Sequence, residues 1–141
     1  MSGNKYQYYT WKLFERDVKL IVAQIRAIET YRDKRFNKVY GIPRGGLVLA
    51  VRLSHALEIP LELDYSHIEP ELADPLRYGR KTLIVDDIAD TGNTLKPFKD
   101  QGFFVVTIFK HPESVIEPDA WIREKGKKWI VFPWETAPSP V

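Results

Sequence analysis

The chain has 141 residues, enough for one domain with a real core, and 44% of them are apolar, which excludes a disordered protein. No stretch reaches the length of a membrane span, and the N-terminus lacks the basic-then-apolar pattern of a signal peptide. The net charge of +2 makes no case for a nucleic-acid protein, and the absence of cysteine excludes disulfides and thiolate metal sites and fits a reducing cytoplasm.

Residues 1–9 are polar and tyrosine-rich and read as a short arm or edge segment. A helix is expected from Thr10, a candidate N-cap, to about Thr30, because Leu13, Phe14, Val18, Ile21, Val22, Ile25 and Ile28 recur at helical spacing. Lys38 to Ile42 reads as a strand broken by Pro43, Gly45 to Leu57 as a second helix, and Ile59 to Asp64 as a short strand. Residues 65–80 form a long loop, a length typical of functional lids. A strand over 82–86 is followed by a short helix from about Asn93 to Lys99, with Pro97 in its tolerant first turn. Phe103 to Phe109 is rich in β-formers, Trp121-Ile122 is strand-like, and Lys128 to Phe132 reads as a last strand closed by Pro133. This alternation predicts an α/β fold: three layers, with a mainly parallel sheet flanked by helices.

Three clusters carry chemistry. In Thr82 to Leu95, TLIVDDIADTGNTL, an apolar run ends abruptly in Asp86 and Asp87, then Asp90 precedes Thr91, Gly92, Asn93 and Thr94. A buried strand there delivers carboxylates to its C-terminal end and turns through a phosphate-sized loop; ligands of open α/β sheets bind at that edge. Acids beside a phosphate loop would repel the phosphate, so they serve ribose hydroxyls, outer-shell Mg²⁺ or a proton instead. In Gly41 to Leu47, GIPRGGL, Gly45 and Gly46 permit close backbone approach to an anion and Arg44 offers a bidentate phosphate partner. At the C-terminal end, Trp129 offers a stacking face for a planar heterocycle, Lys110 or His111 a donor, the Ile130 backbone a further contact and Glu135 an acceptor. Adjacent strand residues face opposite sides, so only one of Lys110 and His111 points at such a ligand. His55 and His67 form no zinc spacing, and Lys125, Lys127 and Lys128 read as a solvated face.

VDDIADTGNTL closely resembles the 5-phosphoribosyl-1-pyrophosphate (PRPP) signature of type I phosphoribosyltransferases, and GIPRGGL resembles that family's pyrophosphate loop. The ending W-I-V-F-P-W-E resembles the purine branch, the xanthine–guanine and hypoxanthine enzymes. The resemblance spans about residues 38–135. It implies one domain over 1–141, with a core over about 10–112, a base-binding hood over about 113–135 and a flexible tail over 136–141. It implies transfer of ribose 5-phosphate from PRPP to a 6-oxopurine, yielding pyrophosphate and a nucleoside monophosphate in cytoplasmic purine salvage. By the same resemblance Arg44, Gly45 and Gly46 hold pyrophosphate across a cis Pro43–Arg44 peptide. Asp86 and Asp87 serve ribose or the waters of Mg²⁺, the loop from Asp90 to Thr94 binds the 5′-phosphate, and Asp90 is the general base. It further implies a homo-oligomer, a dimer or tetramer. Two features depart from the family: its base-contacting lysine directly precedes proline, where this chain has His111 with lysine one place earlier, and the loop 65–80, with Tyr65, Ser66, Arg77, Tyr78 and Arg80, is short. The alternatives are a transferase for another base, and a PRPP- or nucleotide-sensing regulator of the same fold that binds nucleic acid.

Overall fold

A computed structural model describes residues 5–68 and 80–136. Strand β1 (Tyr6–Tyr8) leads into helix α1 (Trp11–Arg32). The helix starts where expected because the Thr10 hydroxyl accepts the Leu13 N–H at 3.1 Å, satisfying a donor the first turn leaves unpaired. Then follow β2 (Lys38–Gly41), α2 (Leu47–Leu57), β3 (Leu61–Glu62) and a 3₁₀ turn at Tyr65–His67. Beyond it come β4 (Thr82–Val85), β5 (Ile88–Ala89), α3 (Lys96–Asp100), β6 (Phe104–Val106), β7 (Phe109–Lys110), β8 (Arg123–Glu124) and β9 (Trp129–Val131).

The central sheet runs β3-β2-β4-β6, all parallel, with Val39 opposite Leu83 and Ile84 opposite Val105. Its side chains alternate between faces. Val39, Leu83, Val85, Phe104 and Val106 pack with Phe14, Val18, Ile21 and Ile25 of α1 and with Leu49 and Leu53 of α2. Tyr40, Ile84 and Val105 pack on the other face with Leu95, Phe98 and Phe103 around α3. Strands buried on both faces read as unbroken apolar runs, which explains LIV before the two acids. The result is the expected three-layer parallel α/β fold. Among the described residues, no helix is long and apolar enough to cross a membrane.

Phe103 to Phe109 departs from the expected single strand. The segment divides into β6, which pairs with β4, and β7, which pairs with β5 and β8 in a separate three-stranded sheet. The ladder breaks because the chain changes partners at Thr107: its N–H donates to Ala120 at 3.1 Å and its hydroxyl to the Phe109 carbonyl at 2.9 Å. The Asp87 carbonyl then receives both Ile108 and Phe109 N–H groups. Pairing in the following segment falls at Arg123–Glu124 rather than at Trp121-Ile122. β9 joins the N-terminal arm, with Tyr6 opposite Trp129 and Tyr8 opposite Val131.

The C-terminal segment is fastened to α1 in two ways. Phe132 stacks on Trp134 at 4.8 Å, and Trp134 meets Phe14 and Trp11 at 5.4 and 5.8 Å. Beside this aromatic contact lies a polar knot. Asp17, fully buried, accepts from Arg123 Nε at 2.6 Å and from the second guanidinium nitrogen at 3.1 Å, and also from the Tyr9 hydroxyl. Burial and then the Asp17 hydrogen bond hold the Tyr9 phenol far above its ordinary range. Asp17→Ala removes the acceptor and leaves a half-buried guanidinium facing an empty socket. We expect a loss of about 3 kcal/mol, read as a lowered denaturant midpoint with unchanged m-value. Asp17→Asn, which keeps one acceptor oxygen, loses less.

Candidate active site

The parallel ladder carries three loops to one edge. Ile42 N–H donates to Val85 O at 2.8 Å and Asp86 N–H to Val106 O at 3.0 Å, so the ends of β2, β4 and β6 stay in register just as the chain leaves each strand. At this edge the glycines of the first loop pack directly against the acids. A Cβ on Gly45 would sit 2.5 Å from an Asp87 carboxylate oxygen, and one on Gly46 2.4 Å from the Val85 carbonyl. Only glycine permits that approach. Pro43–Arg44 is a cis peptide, as the resemblance implies, and Arg44 is exposed beside it.

Asp86 and Asp87 continue the alternation of β4 and diverge. Asp86 lines a concavity of about 80 Å³ with Asp90, Thr91, Gly92 and Thr94, while Asp87 lines a second cavity of about 200 Å³ under the C-terminal segment. Asp90 and Ile88 line both, so they form the shared rim. The smaller concavity is shaped by a tight loop. Gly92 has φ +84°, and a side chain there would also strike Ser114 Oγ at 2.5 Å. Asn93 N–H donates to Thr91 Oγ1 at 3.2 Å, and Val115 N–H to Thr91 O at 2.8 Å. α3 begins at Lys96, later than expected, and has five residues. An anion placed in this concavity would therefore meet loop N–H groups and the Thr91 and Thr94 hydroxyls more than a helix dipole.

The two adjacent acids are half-buried. Burial first, then the neighbouring charge of Asp87, push the Asp86 carboxyl well above the ordinary carboxylate range. Burial likewise raises Asp87. Two crowded, desolvated carboxylates favour a ligand that brings positive charge or hydroxyl donors.

The larger cavity is lined by Asp87, Asp90, Lys125, Trp129, Ile130 and Glu135, among others. The Trp129 ring is 61% exposed, so it belongs to the cavity wall rather than the core. Glu135 is fixed by accepting the Phe132 N–H at 3.0 Å. Neither expected donor is among the described residues that line this cavity. Lys110 Nζ pairs with Glu117 at 2.7 Å and lies over the Trp121 ring at 5.5 Å. His111 Nδ1 accepts the Glu113 N–H at 3.0 Å. Among the described residues, the cation in the cavity wall is Lys125, whose Nζ lies 3.8 Å from Asp90 Oδ1. Sequence reasoning assigned Lys125 to a solvated face with Lys127 and Lys128; nothing in a K-G-K-K run marks the one lysine that turns inward.

Of the residues singled out in the loop 65–80, Arg77 and Tyr78 lie outside the described residues, as does the body of the expected lid over 69–79. Tyr65 packs near the Tyr40 and Phe98 rings, and Ser66 bonds Asp64. Arg80 is buried, donates to the Gln101 carbonyl at 2.6 Å and covers the Phe103 ring, a structural placement. His67 pairs with Glu62 on the surface, and His55 is exposed on α2. The expected tail, apart from Thr136, also lies outside the described residues.

A family model, the phosphoribosyl transferase domain, matches residues 5–139. Xanthine-guanine phosphoribosyltransferases from Chromohalobacter salexigens and Gluconobacter oxydans are each 28% identical, over 96% and 94% of this chain and 89% and 86% of their own. The crystal structure of a purine phosphoribosyltransferase from Pyrococcus horikoshii superposes with a TM-score of 0.74 at 26% identity, covering 98% of this chain and 99% of that one. With the match running through both loops and the C-terminal segment, the chain belongs to the phosphoribosyltransferase family of enzymes.

Proposed function

We propose that this chain transfers ribose 5-phosphate from PRPP to a ring nitrogen of a 6-oxopurine, a step of purine salvage. The observation that carries this reading is Asp90 on the rim shared by two cavities, one a phosphate-sized loop and the other walled by an exposed tryptophan. A carboxylate there reaches both the sugar and the acceptor base. The names of the relatives and of the Pyrococcus structure support a purine acceptor.

The roles follow from position. The loop from Asp90 to Thr94 takes the 5′-phosphate. Arg44 and the Gly45-Gly46 backbone hold the pyrophosphate, close to the acids because Gly45 packs on Asp87 and Gly46 on the Val85–Asp86 backbone. Trp129 stacks on the base, with Ile130 and Glu135 along its edge. In the reaction the C1–O bond to pyrophosphate breaks, a bond from C1 to a purine ring nitrogen forms, and Asp90 accepts the proton the purine ring loses, from its N7–H, so that the ring ends neutral. The enzyme mainly positions the partners and stabilises the leaving anion.

The family typically uses Mg²⁺, and the residues fit it. The crowded, half-buried pair Asp86 and Asp87 suits a dication, while no cluster of three or more His, Asp or Glu among the described residues makes an all-protein cage. Mg²⁺ keeps several waters and takes one or two carboxylates plus substrate oxygens, so the two acids would hold it through water. Bound there, it would neutralise charge on the pyrophosphate.

A paired kinetic experiment tests the division of labour. Arg44→Ala should raise the KM for PRPP by about 10–100-fold, the loss of a charge-assisted bidentate contact. Trp129→Ala should raise the KM for the purine by about tenfold or more, the loss of one stacking face. Each should leave the other substrate's KM nearly unchanged. Both variants weakening both substrates equally would contradict two separate subsites.

A further inference from the structure

We infer that Lys125 selects 6-oxopurines over 6-aminopurines by donating to the exocyclic oxygen of the base, in place of Lys110, which ends β7, and His111, which follows it; neither lines the cavity. The inference rests on the reading of Asp90 as the residue that meets the purine ring nitrogen.

Lys125 is held in place by its backbone: its N–H donates to the Lys110 carbonyl at 2.8 Å, continuing the pairing of β8 beside β7. Its side chain is 18% exposed and runs along the wall of the larger cavity to end 3.8 Å from Asp90. That separation is an ion pair but too long for a hydrogen bond, so the ammonium keeps donors for another acceptor. Meanwhile Lys110 is turned away onto Glu117 and Trp121.

In a 6-oxopurine, N7 and O6 share one edge, close enough that one side chain can bond both. A carboxylate at N7–H therefore needs a donor beside it for O6. Asp90 and Lys125 form such an adjacent acceptor and donor. Adenine presents an amino donor at the same place. It would face an ammonium, which has donors and no acceptor. A site built around a hydrogen bond rejects the analogue that leaves its polar group unpaired.

The test compares Lys125→Met, Lys125→Arg, Lys110→Met and Lys127→Met with the parent chain, using PRPP and Mg²⁺ against hypoxanthine, guanine and adenine, with PRPP affinity measured by titration. Lys125→Met should lower kcat/KM for hypoxanthine and guanine by about 10–100-fold and narrow the preference over adenine. Its PRPP affinity should stay near that of the parent, which also shows that the variant folds. Lys125→Arg should retain the 6-oxo preference, and Lys127→Met should behave as the parent. Unchanged kcat/KM in Lys125→Met, or the loss appearing in Lys110→Met instead, overturns the assignment while leaving the transferase reading intact. A parent chain that uses no 6-oxopurine overturns both together.

Discussion

Asp90→Asn should lower kcat with a 6-oxopurine by about 10²–10⁴-fold while leaving PRPP affinity close to that of the parent. Asparagine keeps the size and the hydrogen-bonding reach of aspartate but cannot take a proton. Asp90 stands on the rim shared by the two cavities, and in the proposed reaction the proton to be moved is that of a purine ring N–H. Its backbone shape is set by neighbours, with Thr91 held by Val115 and Gly92 packed on Ser114, so the loop should survive the change. In the proposed arrangement PRPP binding reports on that loop through its 5′-phosphate. Steady-state kinetics with a parallel PRPP titration separates the two effects. An unchanged kcat would remove Asp90 as the base, and a lost PRPP affinity would recast it as a binding residue.

Asp86→Asn should do two opposed things. Activity should fall roughly 10–100-fold, the usual cost of losing a group that orients a metal's outer shell. Stability should rise. The Asp86 carboxyl is raised in the folded chain, mainly by burial and then by Asp87. Between the ordinary carboxylate value and that raised value the folded state binds more protons than the unfolded state. Stability therefore falls as pH rises through this window, and the penalty is fully present above the folded value. Asparagine removes it, so the gain in unfolding free energy, read from the denaturant midpoint, should be larger at pH 8 than at pH 5, by on the order of 1 kcal/mol or more. Equal stability of parent and variant at both pH values would mean the acids are solvated or relieved by a neighbour. The same trade of stability for function is common where an active site holds unfavourable charge.

The two loops were legible in the sequence because each combines a strand end with residues that have few other uses there. An apolar run that stops at two acids marks the edge of a parallel strand, and the glycines after Arg44 are required by contacts of 2.4–2.5 Å to β4 and Asp87 that a Cβ would make. Thr10 was equally plain, since a cap acts within one turn. What escaped depends on contacts distant in the chain. The break at Thr107 follows from Ala120 and Asp87, which no local propensity reports. β9 pairs with an N-terminal arm more than 120 residues away in the sequence. Alternation said that only one of Lys110 and His111 could face the base, but it could not show that Glu117 and Trp121 draw the lysine aside. Nothing local to α1 marks Asp17 as the buried acceptor for Arg123, more than 100 residues away in the sequence.

The most direct measurement is product formation from PRPP and Mg²⁺ with hypoxanthine, guanine, xanthine, adenine, uracil and orotate, followed by chromatography of the nucleotide. The account predicts that at least one 6-oxopurine is converted to its monophosphate far faster than adenine or either pyrimidine, with stoichiometric pyrophosphate. Conversion of a pyrimidine or adenine in preference, or PRPP binding without transfer to any base, would contradict it.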